Sequence, residues 1–260
     1  MIAEARAFLR SPHPQFDRAA QPASLALRGS PEAARRLFTM SRSIWGTLAE
    51  AYLRNRGITD LRRTSSLRFH ARCYYRPNDF GPTETWPAMI AAVTDNDGEI
   101  VGVQRTWLDP EGFDLRRLGK APIDTPRRAM GDLLGHAVRF GVAEDVMAAG
   151  EGVETMLSLR CVLPDMPMAA ALSAAHLAAV LLPNGLRRLY IARDDDEAGD
   201  GATRTLADRA SERGIEAIVL SSRCGDFNED LRMLGRDALR SAVRVQLAPQ
   251  DVARFIECAV

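Results

Sequence analysis

The sequence predicts an α/β protein, with a mostly parallel sheet and flanking helices in the C-terminal half and a smaller α+β domain before it. Three observations lead there. After about residue 143, short apolar runs of strand length alternate with helical segments, the pattern of parallel strands joined by crossover helices. Before that point the spacing passes from helical to strand-like and then to a hairpin, without the regular alternation. With 46% apolar and 26% charged residues, 260 residues suffice for one large core or two smaller ones.

The elements follow in order. Residues 1–30 mix Pro12, Pro14, Pro22 and Gly29 with little periodicity and read as a flexible arm. Ser30-Pro31-Glu32 reads as a cap followed by proline at the first helical position, opening a helix to about Ser41. Trp45, Leu48, Ala49, Tyr52 and Leu53 recur at helical spacing and predict a second helix, stopped by Gly57. Strands are expected from about Leu67. Met89 to Val93 and Ile100 to Val103, separated by Asp95-Asn96-Asp97-Gly98, predict a β-hairpin. A basic segment follows, with Arg105, Arg116, Arg117, Lys120, Arg127 and Arg128 interspersed with Trp107 and Phe113. These elements make up the α+β domain, over 31–142.

The next domain is expected over 143–235. Its strands are predicted at Val146 to Ala149, Met168 to Leu172, Arg188 to Ala192 and Glu216 to Leu220. Helices at Glu154 to Cys161, Ala174 to Leu181 and Gly201 to Arg213 connect them, and residues 236–260 read as a helical extension.

Composition narrows the function. Thirty-four basic residues balance thirty-four acidic ones, so no overall field draws the chain to nucleic acid or an anionic membrane, and any such affinity must come from a local patch. Cys73, Cys161, Cys224 and Cys258 form no Cys-x-x-Cys pair, which argues against a zinc ribbon and a disulfide framework and fits a reducing cytoplasm. The start has no apolar signal region, and no apolar run reaches the length of a membrane span, about 18 residues. His70 and His136 lack metal-ligand spacing and read as structural.

Chemistry is concentrated in three acidic elements, each placed after a predicted strand. Glu151-Gly152 follows the first strand of the second domain, and ligands of open parallel sheets bind beyond such carboxyl ends. Asp194-Asp195-Asp196-Glu197 follows the third; if extended backbone persists past Arg193, Asp194 and Asp196 share a face. Asp226 and Asn228 follow the fourth, where they are expected to extend a metal shell or support it. Each cluster alone is readily explained as a helix cap, but capping gives no reason for three at one sheet edge. Together they suit a hard cation such as Mg²⁺, which takes one or two carboxylates and fills its shell with water and phosphate oxygen.

These residues resemble the Toprim domain of primases, topoisomerases and related nucleases. The wording EGVETMLSL, ARDDDEAGDGAT and GDFNEDL is most similar to Toprim primase proteins of phages, plasmids and integrated elements. Residues 49–58, 67–70 and 104–109 resemble the domain that precedes Toprim in those proteins, and the likeness spans roughly residues 35–235. It implies a Rossmann-like fold in which Glu151 acts on the metal or as general acid/base, Asp194 and Asp196 hold Mg²⁺ or Mn²⁺, and Asp226 assists. Two departures stand out: Thr155 occupies a position where replicative primases often carry aspartate, and the ligands of their zinc module are missing.

The resemblance implies a metal-dependent nucleotidyltransferase making or extending primers on single-stranded DNA from nucleoside triphosphates, with a separate helicase or zinc-module protein as partner and replication of a mobile element as the setting. A Toprim nuclease and a non-catalytic DNA-binding accessory module are the alternatives. Arg105, Lys120, Arg127 and Arg128 are the expected grips on template and nucleotide, with Asn228 beside them and Trp107 as a stacking ring.

Overall fold

The computed structural model describes residues 30–257, apart from 63, 79, 80, 115 and 116. The arm expected over 1–30, up to Ser30, lies outside the described residues, as do Arg116 and Cys258.

Helix α1 (Pro31–Met40) starts where Ser30, in extended backbone, accepts a hydrogen bond from the Ala33 N–H, and Pro31 gives up no bond the first turn could make. The short strand β1 (Arg42–Ser43) follows, then α2 (Leu48–Asn55), capped by Thr47 and burying Ala49, Tyr52 and Leu53. Gly57 ends this helix at φ +76°, a left-handed conformation open to glycine at little cost.

Strands β2 (Leu67–Tyr75), β3 (Glu84–Thr94), β4 (Ile100–Trp107) and β5 (Arg127–Gly131) pair antiparallel in turn. The expected hairpin is β3–β4, and its turn is closed by the Asp95 carboxylate, which accepts from the N–H groups of Asp97 and Glu99. One face of this sheet carries Ala88, Ile90, Val103 and Trp107 under α1; the other carries Phe69, Met89 and Ala91 under α2.

The second half has the alternating order read from sequence: β7 (Val146–Gly150), α3 (Val153–Arg160), β8 (Met168–Ala170), α4 (Ala174–Ala179), β9 (Arg188–Arg193), α5 (Glu197–Glu212) and β10 (Glu216–Ser221). Strands β8, β7, β9 and β10 lie side by side and parallel. Every residue of β7 is buried, as expected where helices cover both faces. Helix α5 starts four residues before the expected Gly201, because Asp196 caps it. Helices α6 (Phe227–Leu234), α7 (Arg236–Arg244) and α8 (Pro249–Val252) follow, and a π-helical stretch over Ala253–Glu257 ends the described residues. Asp251 ties α8 to β9 by accepting from the Tyr190 hydroxyl at 2.6 Å and from Arg188 at 2.8 Å.

Besides β1 and β5, the strand not foreseen is β6 (Ala137–Phe140). It pairs with β3 through Val93 and Thr94 and with β8 through residues 168–170, so the described strands form one ten-stranded sheet across both halves. Strand β3 has eleven residues, enough to pair with β2 along most of its length and with β6 at its end.

Helix α5 packs so closely on the end of β9 that a Cβ at Gly199 would lie 2.5 Å from the Asp194 carbonyl oxygen, whereas one at Gly201 would meet nothing within 4 Å. Gly199→Ala is expected to cost about 1–3 kcal/mol in chemical denaturation through overpacking. Gly201→Ala, in the same helix, is expected to gain about 0.5–1 kcal/mol; equal effects would show that the close approach is not what requires Gly199.

Candidate active site

Strands β7, β9 and β10 are adjacent and parallel, and each ends in an acidic element. Glu151 follows β7 directly, Asp194 follows β9, and Asp226 lies in the loop after β10 as the cap of α6. The strand registers Gly150 with Ala192 and Ser221 with Arg193 bring these ends level. Glycine is required before Glu151, because a Cβ at Gly150 would stand 2.6 Å from the Met156 sulfur and 3.0 Å from the Ala192 Cβ.

Glu151 Oε1 and Asp194 Oδ1 are both buried and have no hydrogen-bond partner. Buried acceptors left unpaired are costly, and most native ones find a partner. The Glu151 carboxyl is pushed up by burial and by the charge of Asp196. Burial and the charges of Glu151, Asp226 and Asp196 raise the Asp194 carboxyl to about 7, with Arg127 opposing. This is a self-repelling group of oxygens that a hard cation would relieve, and the donor set suits Mg²⁺ or Mn²⁺. Among the described residues no three of these side chains stand close enough together to hold a metal ion unaided.

The expected route to the Asp194–Asp196 pair needs correction. Extended pairing ends at Arg193, and the Asp196 N–H folds back to bond the Asp194 carbonyl at 2.9 Å. The two carboxylates meet through a turn, not through strand alternation. Asp196 Oδ1 also accepts from the Gly199 N–H and Asp226 Oδ1 from the Glu229 N–H, each at 2.7 Å, so both aspartates cap helices as well as facing the site. Asp195 is turned aside to pair with Arg193.

The expected basic grips divide between two faces. Arg127 stands opposite Thr106 in the β4–β5 register and Arg128 opposite Arg105, so alternation sends Arg127 to one side of the sheet and Arg105 and Arg128 to the other. Arg127 reaches to 3.6 Å of Glu154 and lies in the field of Asp226 and Asp194. Lys120 joins it; burial, Arg127 and Arg56 lower its ammonium to about 8 against the pull of Glu154 and Asp226. It is the sole lysine in the chain, every other basic residue counted with it being arginine.

Glu154, which sequence reasoning passed over, organises this region. Burial would raise its carboxyl, but Arg127, Arg56 and the Tyr52 hydroxyl, which donates at 2.5 Å, hold it well below the usual range. Its place in the first turn of α3 resembles an ordinary dipole partner, so only the packing shows that it is 4% exposed. Asn228, expected near nucleotide, is instead 2% exposed and structural: its oxygen accepts from Arg56 and its nitrogen donates to the Arg56 carbonyl and the Ser158 hydroxyl. Trp107 is likewise no stacking platform, being 1% exposed and edge-on to Tyr75.

Residues 146–237 match the Toprim domain family, and residues 28–140 match a family described as a domain of unknown function (DUF7146). Residues 146–237 are a Toprim domain. Toprim domains typically use divalent metal ions, which accords with the unpaired Glu151 and Asp194 oxygens. The fold is similar to that of the zinc-binding and RNA polymerase domains of Aquifex aeolicus primase, 17% identical over 86% of this chain and 65% of that one, with a TM-score of 0.56. It is also similar to the primase fragment of the bacteriophage T7 primase-helicase protein (16% identity, 79% of each chain, TM-score 0.51) and to a DNA primase domain from Pseudomonas aeruginosa (15%, 83% and 78%, 0.56). At these identities the likeness is one of fold. No curated protein matches the chain.

Two stability measurements test this geometry. The folded Asp194 carboxyl lies above its ordinary value, so the metal-free protein is expected to lose stability as pH rises from about 4 to about 7. Asp194→Asn should flatten that loss, melt higher than wild type at pH 8 without metal, and gain less from added Mg²⁺. Glu154→Ala is expected to cost about 3 kcal/mol by leaving the buried Arg56 and the half-buried Arg127 without their carboxylate; a loss under 1 kcal/mol would mean that Glu154 is not the organising charge.

Proposed function

We propose that this chain is a Toprim nucleotidyltransferase with primase-like activity, joining ribonucleotides into short primers on single-stranded DNA. The observation that carries the reading is the meeting of two opposite fields: Glu151, Asp194, Asp196 and Asp226 at the strand ends, and from the preceding half Arg127 in the field of Asp226 and Asp194 and Lys120 in that of Asp226. Carboxylates alone serve hydrolysis as readily as nucleotidyl transfer. Cations fixed opposite them suit a substrate carrying a triphosphate. The likeness in fold to primase polymerase domains supports the same choice.

Asp194 and Asp196 would hold Mg²⁺ or Mn²⁺, with Asp226 beside them. The ion would neutralise triphosphate charge and stabilise the leaving pyrophosphate. Arg127, steadied by Glu154, presents a planar guanidinium able to grip a phosphate through two donors. Lys120, near 8, is mostly charged at neutral pH yet close enough to titration to give a proton to the departing pyrophosphate. Glu151, raised by burial, would accept the proton of an attacking 3′ hydroxyl. We assign the protein to replication of a mobile element, beside a helicase or zinc-module partner, on the likeness of its motif wording to such proteins.

The test combines labelled ribonucleotides, single-stranded templates and Mg²⁺ or Mn²⁺, with products and cleavage fragments resolved on one gel. Template-dependent ribonucleotide products are expected, reduced by roughly a hundredfold or more in Asp194→Ala. Strand cleavage without nucleotides would replace this reading with that of a nuclease, and binding without either activity with that of an accessory module. Lys120 permits a second check: nucleoside triphosphate should protect this single lysine from acetylation, read by peptide mass spectrometry. Equal labelling with and without nucleotide would remove Lys120 from the site.

A further inference from the structure

On the opposite side of the β4–β5 sheet from Arg127 lies an open cleft of about 540 Å³ lined by Arg76, Arg105 and Arg128, with Tyr74 and Thr83. Among the described residues no carboxylate lines it. Arg105 and Arg128 stand directly across from one another in the register, a position in which like charges repel. Arg128 is braced there by three acceptors: the carbonyls of Arg76 and Pro77, at 2.6 and 3.0 Å, and the Tyr75 hydroxyl at 3.5 Å. Arg76 is braced by two donations to the Thr83 hydroxyl. Arg105 lies over the Trp107 ring, with its Nε buried and without a hydrogen-bond partner.

Ring packing accounts for Arg105 on Trp107 and Arg128 on Tyr75, and Thr83 for Arg76, but none of these accounts for three charges of one sign converging on one hollow with an orphaned donor among them. An anion resolves both features: it screens the Arg105–Arg128 repulsion and supplies an acceptor for the Arg105 guanidinium. The opening is broad, and Tyr74 is 70% exposed. A cationic groove with an exposed aromatic ring suits a strand whose phosphates are gripped while a base stacks.

We infer that this cleft is a second nucleic-acid site, binding the phosphates of a single strand on the face of the sheet away from the carboxylates. It goes beyond the proposed reaction and does not depend on it. A strand held here is anchored at a distance from the chemistry, so the protein grips nucleic acid without crowding the metal-binding carboxylates. A free nucleotide offers the same phosphate chemistry, and the experiment separates the two sources.

The full chain is titrated with a fluorescent oligothymidylate and, separately, with ATP, in EDTA so that the carboxylate site does not contribute. Arg105→Gln and Arg76→Gln are each expected to weaken oligonucleotide binding about fivefold or more and to lower the salt dependence by about one phosphate contact, with ATP binding unchanged. Loss of ATP binding alone would assign the cleft to free nucleotide, which keeps the anion site and overturns the strand as its occupant. Unchanged affinity for both ligands would overturn the proposal. Wild-type protein gives a parallel readout free of folding effects: oligonucleotide should shield Arg76 and Arg105 from phenylglyoxal in peptide mapping, and equal modification with and without it would count as the same overturning result. Primer synthesis at the carboxylates can fail while this binding persists, and the reverse, so the two readings fall separately.

Discussion

A carboxylate sealed in the interior must be compensated, and the compensation of Glu154 comes from outside its own domain. Its partners are Tyr52 and Arg56, from α2 and the turn after it, and Arg127, the first residue of β5. Truncating any of them would leave a buried charge or donor exposed to the full penalty of desolvation, so the partners hold one another to a single arrangement. Asn228 extends the constraint by joining Arg56 to Ser158 and so to α6 and α3. The two halves are therefore fixed relative to each other by polar groups at their centre, while the shared sheet fixes them along β3 and β6.

That arrangement decides where the cations point. Arg127 pairs with Glu154, and its neighbour in sequence must then face the other way, because side chains alternate along a strand. One dipeptide thus supplies a charge to each side of the sheet: Arg127 beside the carboxylates and Arg128 in the arginine-lined cleft with Arg105 and Arg76. Lys120 is drawn to the carboxylate side by the same negative groups, and the crowding of Arg127 and Arg56 lowers its affinity for a proton. Charge is balanced over the whole chain, yet sharply divided locally.

The carboxylate edge stores the opposite tension. Glu151 and Asp194 keep buried oxygens without partners while Asp196 and Asp226 add like charge. Well-capped helices and a closely packed Gly199 surround the group, so packing elsewhere offsets an unfavourable concentration of like charge. The helix caps contribute directly, since Asp196 and Asp226 use one oxygen each to start α5 and α6 and so cannot swing away from the sheet edge.

Much of this was legible in the sequence. Alternating strand and helix periods gave the parallel sheet, and the rule that strand carboxyl ends carry ligands brought Glu151, Asp194 and Asp226 to one edge, because both depend on local pattern and on topology common to such sheets. Strand β6 escaped notice because Ala137–Phe140 is short and its pairing is set by distant strands. Glu154, Tyr52 and Arg56 escaped for a stronger reason: a charged residue in a helix's first turn looks the same whether it faces water or an arginine 27 positions away in the chain, and Arg127 is at that remove from Glu154. Likewise, Asn228 and Trp107 looked available to ligand until packing buried them, and the basic residues looked like one patch until the register split them. The sequence by itself determined the Toprim scaffold and its acidic edge; only the tertiary structure decided which charges face that edge, because burial and side-chain direction depend on partners far apart in the chain.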